Sequence, residues 1–359
     1  MDIEKIKKEK DGLDVISDIY IYAVLGEKPK EEDLVRFTWY GIHKQKNSDL
    51  FTLKIPFTLG EISKEQANVL SLISKEFSNK KLNLLNSQKI ELNDINIHSL
   101  PHIFKLLQDV GINTICESGH NVRNVITCPV NGVDKTQIVD VSDLAGKLNE
   151  AFKGNKNFSN LPNSLKIAIS GYTQGCSLEF TPDVSFNAYK NEKGKVVFSL
   201  RVIGEHLGFV TASQVVPTAR AIAKIYKDFG SRDNYEDSLF SWFVGSWGFS
   251  EFFDVLDSTV NFKIKDDEID EDFTEGKKPR LGINESKIEN ESYIGFKLDS
   301  KTLEVERFDK LIELLDKYEA SRLKITHKAN MIILDAKSET ATKFADELRA
   351  LDFFIPTKD

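Results

Sequence analysis

An internal repeat constrains the fold of this chain more than any other feature of its sequence. The apolar pattern of residues 62–110 recurs 241 positions later, at 303–351. Leu70 falls on Leu311, and the apolar positions of both copies step by three and four residues, which predicts an amphipathic helix in each copy. Farther on, apolar residues alternate on either side of a polar turn, which predicts a strand or a hairpin, and a second helical stripe follows.

Apolar runs just before each copy extend the repeat. FTLKIP (51–56) and YIGFKL (293–298) both predict strands, so each copy is a unit of strands and helices about 70 residues long. The stretch between the copies, residues 111–260, has no counterpart in the chain. The order is therefore first copy, middle segment, second copy, and the mixture of elements predicts an α+β protein.

The middle segment has strand and helix signals of its own. LKIAIS (165–170) predicts an apolar strand that leads into a turn-prone loop, GYTQGC (171–176). A helix is predicted over 215–230, with Pro217 in its first turn and Gly230 at its end. The small residues of the loop are typical of a plain turn, and they would also let a backbone approach a ligand closely.

Composition limits the class of protein. The 359 residues include 48 Lys plus Arg and 56 Asp plus Glu, a formal net charge of −8, which disfavours a strongly basic nucleic-acid binder. The opening residues contain no apolar leader, and no window approaches 18 uncharged apolar residues. A cytoplasmic protein without a membrane span is therefore expected. The acid run at 266–276 predicts an exposed linker, with an acidic docking strip for a basic partner as the alternative.

Residue types alone do not identify a reaction. The three cysteines, Cys116, Cys128 and Cys176, are too few for a disulfide framework or for a metal site made of thiolates alone. His98 and His102 have the spacing of one helix face but lack the glutamate of a metal-binding motif. The sequence also lacks the glycine-rich phosphate loop, the dinucleotide fingerprint and the serine-hydrolase elbow.

Longer segments, taken together, resemble one enzyme family. They are FTWYGIHKQKNSDLFTLKIP (37–56), ESGHNVRNVITCPVNGVD (117–134), LPNSLKIAISG (161–171) and VVPTARAIAKIYKDFGSRDN (215–234). In this order they resemble the nitrite and sulfite reductase family, and GINESKIENESYIGFKL (282–298) resembles the start of that family's second half-domain. The family alternates two ferredoxin-like half-domains with two larger α/β domains. This chain covers the first three of those four parts.

The resemblance implies a domain organisation. The expected fold is α+β, with duplicated ferredoxin-like half-domains forming one pseudo-symmetric domain beside a larger α/β domain of siroheme-reductase type. Residues 1–110 would hold an N-terminal extension and the first half-domain, and residues 111–262 the large domain. An acidic linker (263–279) would then lead to the second half-domain (280–359).

The resemblance also implies a chemistry. In the family, siroheme and a 4Fe-4S cluster lie in a basic cleft, and electrons pass from the cluster through siroheme to a bound anion. By resemblance, Arg123 and Lys166 are the catalytic residues, with Arg123 facing the anion and Lys166 beside it. Lys54, Asn121 and Asn124 are the implied cofactor-binding residues. Small oxyanions and siroheme carboxylates need positive charge and hydrogen-bond donors, which side chains of these types supply.

Several positions depart from the family pattern. Ser164 replaces the first of two lysines, and Ser87 replaces an arginine that would pair with siroheme carboxylates. The cluster needs four thiolates, which the family carries in its second large domain as C-x5-C and C-x3-C. Tyr172 stands where a C-x3-C pair ending at Cys176 would begin. The cluster ligands are thus absent from this chain, and no metal ligand is predicted beyond Cys176 as a minor candidate. No cofactor is expected to bind without a partner.

Two functions are compatible with these features. The resemblance implies the first half, or a subunit, of a siroheme-dependent nitrite or sulfite reductase, which performs the six-electron reduction of a small oxyanion. A second chain would supply the cluster cysteines, and a ferredoxin or a flavoprotein would supply electrons. The alternative is a non-catalytic, cofactor-free relative acting as a scaffold or binding protein, which Ser164, Ser87 and Tyr172 favour. Neither a nucleic acid nor a membrane is an expected partner.

Overall fold

A computed structural model describes residues 2–173, 181–266, 280–326 and 328–357. Its helices are α1 (Ile3–Glu9), α2 (Ile16–Leu25), α3 (Glu31–Phe37), α4 (Lys64–Phe77), α5 (Leu100–Asp109), α6 (Ser142–Phe152), α7 (Ala212–Phe229), α8 (Phe240–Trp247), α9 (Phe249–Thr259), α10 (Val305–Lys317) and α11 (Ala341–Ala350). Its strands are β1 (Ile42–Lys44), β2 (Phe51–Pro56), β3 (Glu61–Ser63), β4 (Lys81–Leu85), β5 (Lys89–Ile95), β6 (Ile126–Thr127), β7 (Ile167–Ser170), β8 (Val184–Lys190), β9 (Val196–Val202), β10 (Glu205–Val210), β11 (Gly282–Glu285), β12 (Glu291–Phe296), β13 (Thr302–Glu304), β14 (Arg322–Ile325) and β15 (Met331–Lys337).

The two copies of the repeat form two matching antiparallel sheets. Their strand orders are β1-β2-β5-β4-β13 and β11-β12-β15-β14-β3. A shift of 241 residues carries β3 onto β13 and α5 onto α11 without a change of length. The predicted duplication of ferredoxin-like half-domains is therefore confirmed, and FTLKIP forms β2 over its full length.

Each half-domain lends a short strand to the other. β3 of the first copy pairs with β14 of the second, and β13 of the second copy pairs with β4 of the first. Helices α4 and α10 pack together across the junction, where Lys64 pairs with Asp316 at 2.6 Å and Lys75 with Asp309 at 2.6 Å. Leu70 and most other buried apolar residues of both copies belong to one continuous core. The duplicated module thus folds as one unit.

The middle segment has its own sheet and core. Its strand order is β10-β9-β8-β7-β6, with parallel pairing from β6 to β8 and antiparallel pairing from β8 to β10. Helix α7 starts earlier than predicted, because a capping box between Thr211 and Gln214 fixes its first turn. Pro217 consequently lies inside the helix, not in its first turn. In the described part of the chain, no helix is both long and apolar enough to cross a membrane.

A buried polar cluster joins the middle segment to the second half-domain. Its members are Asp134, Tyr172, Arg280 and Tyr293. Arg280 Nη1 lies 2.7 Å from Asp134 Oδ2, and the Tyr172 hydroxyl donates a hydrogen bond to the same oxygen at 3.1 Å. Arg280 Nη1 also donates to the Tyr293 hydroxyl at 3.4 Å. The position at which the sequence suggested a missing cysteine ligand is therefore occupied by a tyrosine that holds the carboxylate of Asp134.

We expect Arg280→Met to destabilise the protein strongly. The side chains of Arg280 and Asp134 are only 11% and 6% exposed, so removing the guanidinium leaves a buried carboxylate without its counter-charge. The free energy of unfolding should fall by about 3 kcal/mol in urea denaturation. The matched control is Lys105→Met, which breaks the exposed pair of Lys105 with Asp109 on α5 and should cost less than about 0.5 kcal/mol. Equal losses of unfolding free energy in the two variants would contradict this account of the buried polar cluster.

Candidate functional site

A close backbone approach positions the candidate site. Gly41 follows a short 3-10 turn in the left-handed conformation, with φ of +74°. A Cβ atom at Gly41 would lie 2.5 Å from the carbonyl oxygen of Lys54 and 3.3 Å from the side chain of Glu117. The amide of Lys54 donates to the Gly41 carbonyl at 2.9 Å. Only glycine fits here, and its lack of a side chain brings the Lys54 and Glu117 segments together.

Several cations lie around one buried carboxylate. We call this group of residues the basic cluster; its members are Lys54, Lys89, Arg123, Lys153 and Glu117. The side chain of Glu117 is fully buried and forms an ion pair with Lys89, itself 11% exposed. Burial lowers the pKa of Lys89, while the negative charge of Glu117 opposes that change. Glu117 likewise opposes the lowering of the Arg123 and Lys153 pKa values that burial causes. Three basic side chains thus share one negative charge, and the positive charge of Lys54 acts on Lys89.

Arg123 lies at the centre of the cluster. Its amide donates to the Leu165 carbonyl at 2.9 Å, which anchors the NVRN segment beside β7. The guanidinium Nη1 is shielded from solvent and has no hydrogen-bond acceptor among the described residues. Arg123 and Lys153 line a small cavity of about 10 Å³, together with Asn149. That volume accommodates about one water molecule.

His43 lies beside the basic cluster. In the sequence it is distant from the other histidines. Its Nε2 is 2.9 Å from the hydroxyl of Ser118. Burial, and then the charges of Lys54, Arg123 and Lys89, lower the pKa of His43 to about 4. The imidazole is therefore neutral at pH 7 and adds no further positive charge to the cluster.

Lys166 lies at a different cavity from Arg123. Its side chain is exposed at the edge of a cavity of about 730 Å³, which Asp183 and Arg201 also line. The amide of Lys166 donates to Asp183 Oδ2 at 2.8 Å, and burial raises the pKa of Asp183 to about 6. An isolated β-bridge joins Val122 to Leu165. The two predicted catalytic residues, Arg123 and Lys166, each follow one of these residues, so their backbones lie side by side. Their side chains nevertheless line separate cavities.

The predicted cofactor-binding residues lie around Arg123. Asn124 lines the small cavity and donates from Nδ2 to the Phe57 carbonyl at 2.9 Å. Asn121 is buried and donates to the Ser118 carbonyl at 2.6 Å, while its Oδ1 has no donor among the residues described. Lys54 is partly exposed on β2, opposite Glu91 of β5. Both asparagine amides are therefore engaged with the backbone of this chain.

The thiols do not form a metal site in the described residues. Cys116 and Cys128 are both buried. The amide of Gly154 donates to Cys116 Sγ at 3.4 Å, and burial raises the pKa of the Cys116 thiol. Cys176, the predicted metal candidate, lies outside the described residues. Among the residues that are described, no three His, Cys, Asp or Glu side chains are grouped closely enough to hold a metal ion.

Three members of the basic cluster were not predicted from the sequence: Lys89, Glu117 and Lys153. Lys89 begins β5, whose sequence KIELNDI alternates polar with apolar residues, so the pattern gave no sign that this lysine is buried. Glu117 lies in a loop, and Lys153 directly follows α6. In neither place does a periodic pattern indicate which way a side chain points. Their meeting depends on the approach of the chain at Gly41, which the sequence does not reveal.

We expect His43→Gln to weaken the dependence of stability on acid. The folded-state pKa of about 4 lies below the ordinary histidine pKa of 6.5, so the unfolded chain binds a proton that the folded chain excludes. Stability is fully present above pH 6.5 and is lost as the pH falls to 4, by about 2 to 3 kcal/mol for this group. Urea denaturation at pH 7 and pH 4.5 measures the change.

The histidine control is His102→Gln. His102 packs against Phe77, 5.2 Å between ring centroids, and lies outside the basic cluster. Its substitution should leave the acid dependence unchanged. Asp183, whose pKa is raised, acts in the opposite direction between pH 6 and 4, so only the difference between each variant and the parent reports His43. An unaltered acid dependence in His43→Gln would contradict the prediction.

Comparison with known proteins identifies the family. Residues 43–110 match the profile of the nitrite/sulfite reductase ferredoxin-like half domain. Residues 118–264 match that of the nitrite and sulphite reductase 4Fe-4S domain. The assimilatory ferredoxin-dependent nitrite reductase of Haloferax mediterranei is 23% identical over 352 residues, which cover 88% of this chain and 60% of that protein. The ferredoxin–nitrite reductase of Leptolyngbya laminosa is 26% identical over 343 residues, covering 90% of this chain and 67% of that protein.

A solved structure shares the fold. The NirA protein of Mycobacterium tuberculosis superimposes with a TM-score of 0.90 at 20% identity, over 99% of this chain and 70% of that one. This chain spans between 60% and 67% of the length of the two reductases named above. Its two matched domain types follow each other in the family's order. The chain therefore belongs to the nitrite and sulfite reductase family.

Proposed function

We propose that the chain is the first-half subunit of a siroheme-dependent nitrite or sulfite reductase. The observation that carries this proposal is the basic cluster around Arg123 in the NVRN segment, at the junction of both matched domain types. An excess of positive charge on buried and half-buried side chains has a purpose when a small anion is bound. Residues 1–110 and 280–359 would form the duplicated module, with 111–262 as the large domain and 263–279 as its acidic linker.

A second chain would carry the other large domain. The middle segment exposes aromatic side chains that such a domain could cover: Phe229 is 59%, Tyr235 71% and Trp242 44% exposed. The relatives are named as ferredoxin-dependent nitrite reductases, which supports a ferredoxin as the electron donor, with a flavoprotein as the other option.

The described residues of this chain do not fit the 4Fe-4S cluster. Four thiolates are required, whereas Cys116 is a buried thiol that accepts a hydrogen bond from Gly154. The Tyr172 hydroxyl donates a hydrogen bond to Asp134, and a cysteine at this position would remove that bond. The cluster would therefore have to come with the second chain. Siroheme, when bound, would supply the electrons to the anion, and its carboxylates would need cations of the kind that the basic cluster contains.

The chain's own residues would bind the anion and deliver protons. Arg123 would hold the anion through its unpartnered Nη1 donor. Lys166, whose side chain is exposed, would deliver protons as a general acid. Lys54 would add positive charge at the cofactor, and Asn121 and Asn124 would fix the loop that carries Arg123 through their backbone hydrogen bonds.

A second candidate function is a cofactor-free relative that acts as a scaffold or binding protein. The observation that favours it is the ion pair between Lys89 and Glu117. This pair supplies negative charge to the basic cluster from within the chain. A protein that no longer binds siroheme or substrate would be stabilised by such an internal counter-charge.

The visible absorption spectrum and iron content of protein purified gently from its own host test the two functions. The reductase subunit should co-purify with a second chain, show siroheme bands and contain about five iron atoms per complex, one from siroheme and four from a cluster. A colourless, iron-free protein without a second chain would reject the reductase proposal and support the scaffold.

Within the purified complex, Lys166→Ala should lower kcat/KM for anion reduction by about 100-fold, because a general acid is lost. Lys166 is exposed, so the variant should keep the siroheme spectrum and the stability of the parent. Lys147→Ala, which removes another exposed lysine of the same segment, is the matched control. Steady-state kinetics with a chemically reduced donor give the ratio, and a Lys166→Ala enzyme of parental activity would rule out the proton-delivery role.

A further inference from the structure

The carboxylate of Glu117 is unusual among the acidic groups of this protein. Its side chain is fully buried, and it faces Lys89 in an ion pair. Neither carboxylate oxygen has a hydrogen bond of regular geometry from the residues that the structure describes. Buried carboxylates in folded proteins are normally fixed by several donors. Glu117 is therefore held mainly by charge, as a bound anion would be.

The cations around Glu117 exceed its charge. Lys89 is the direct partner, and Arg123 and Lys153 are close enough for Glu117 to affect their ionisation. Beside Arg123 and Lys153, the small cavity is also lined by Asn149, whose Nδ2 is a second shielded donor with no acceptor among the described residues. The surroundings of Glu117 are thus rich in donors and positive charge, which is the composition of an anion-binding site.

The backbone is arranged to place this carboxylate inside. Cys116, immediately before Glu117, has φ of +63°, a left-handed conformation that a residue with a side chain adopts at a cost. Its amide donates to the Trp39 carbonyl at 2.7 Å, and the amide of Glu117 donates to the Thr114 carbonyl at 3.2 Å. The absence of a side chain at Gly41 leaves the space that the Glu117 side chain fills.

We propose that the carboxylate of Glu117 is an internal ligand of a small-anion site formed by Lys89, Arg123 and Lys153. The ligand class is a planar monovalent anion of three heavy atoms. Formate and nitrite have the size, shape and charge of the carboxylate group itself. In the isolated chain Glu117 fills the site, so exogenous anions are excluded until Glu117 is withdrawn or removed. This inference rests on the proposed anion-facing role of Arg123 and identifies what occupies that site beforehand.

Chemical rescue of Glu117→Ala by added anions tests the inference. The variant removes the internal carboxylate and leaves a space of its size among unpaired cations, so its melting temperature should fall. Sodium formate or sodium nitrite should then raise that temperature in a saturable manner, by about 5 °C at concentrations far above Kd. Sodium chloride at the same ionic strength should give a smaller, non-saturating change. The parent protein should show no saturable response, because Glu117 already fills its site.

Two matched variants separate the anion site from general effects. Glu313→Ala removes an exposed acid on α10, changes the net charge equally and should show no rescue. Glu117→Gln removes the charge but keeps the volume, so its loss of stability should not be rescued by formate. Absence of rescue in Glu117→Ala, or equal rescue in Glu313→Ala, would overturn the inference.

A double variant covers the case in which Glu117→Ala does not fold. Glu117→Ala with Lys89→Met removes both members of the ion pair and leaves no unpaired buried lysine at position 89. It should retain saturable stabilisation by formate through Arg123 and Lys153, at several-fold higher concentration. A double variant with no formate dependence would overturn the inference. These measurements use the isolated chain without cofactor, so they are independent of the spectrum that tests the reductase proposal.

Discussion

The exchange of short strands between the two half-domains is the interaction on which the rest of the molecule depends. β3 and β13 contain three residues each, and each pairs with a sheet of the opposite copy. A three-residue strand has little stability alone, so neither half completes its sheet without the other. Because the middle segment is inserted between the copies, both of its ends are attached to this closed frame. Gln88 bonds all three parts: its Nε2 donates to the carbonyls of Thr127 and Ile325, at 3.2 and 3.3 Å.

Polar groups concentrate where these three parts meet, because the junction encloses strand ends and loops as well as apolar faces. Lys324 of β14 has no exposed surface, and its Nζ lies 4.0 Å from the carboxylate of Glu61, which Arg322 already engages at 2.7 Å. Burial lowers the pKa of Lys324. Charged groups enclosed in this way are expensive to desolvate. The frame that shapes the basic cluster therefore also supplies the stability needed to keep its cations buried.

The repeat made the duplicated module predictable, since helical and strand periodicities recur in residues that form a core. The exchanged strands were not predicted, because three residues such as Glu61–Ser63 carry no measurable period and their partner is more than 250 positions away. For the candidate site, the resemblance located Arg123, but nothing in the sequence indicated Glu117 as its neighbour. The electrostatic influence of Glu117 on Arg123 depends on the turn at Gly41, a property of tertiary structure. The helix start was a different case, because the capping box of Thr211 and Gln214 is a local sequence signal that the expectation built on Pro217 overlooked.

The positions of the cations suggest how the site differs from the family pattern. By the family resemblance, Ser87 is expected at the place of an arginine that would reach a siroheme carboxylate, while Lys89, two residues later, is buried against Glu117. Residues two apart on a strand share a face, but Gln88 between them has φ of +60°, so the chain turns before β5 begins. Positive charge has therefore been kept in this segment and directed at a carboxylate of the chain itself. The carboxylate supplies part of the counter-charge that an external anion would supply, and withdrawing Glu117 would leave its place among the cations to such an anion.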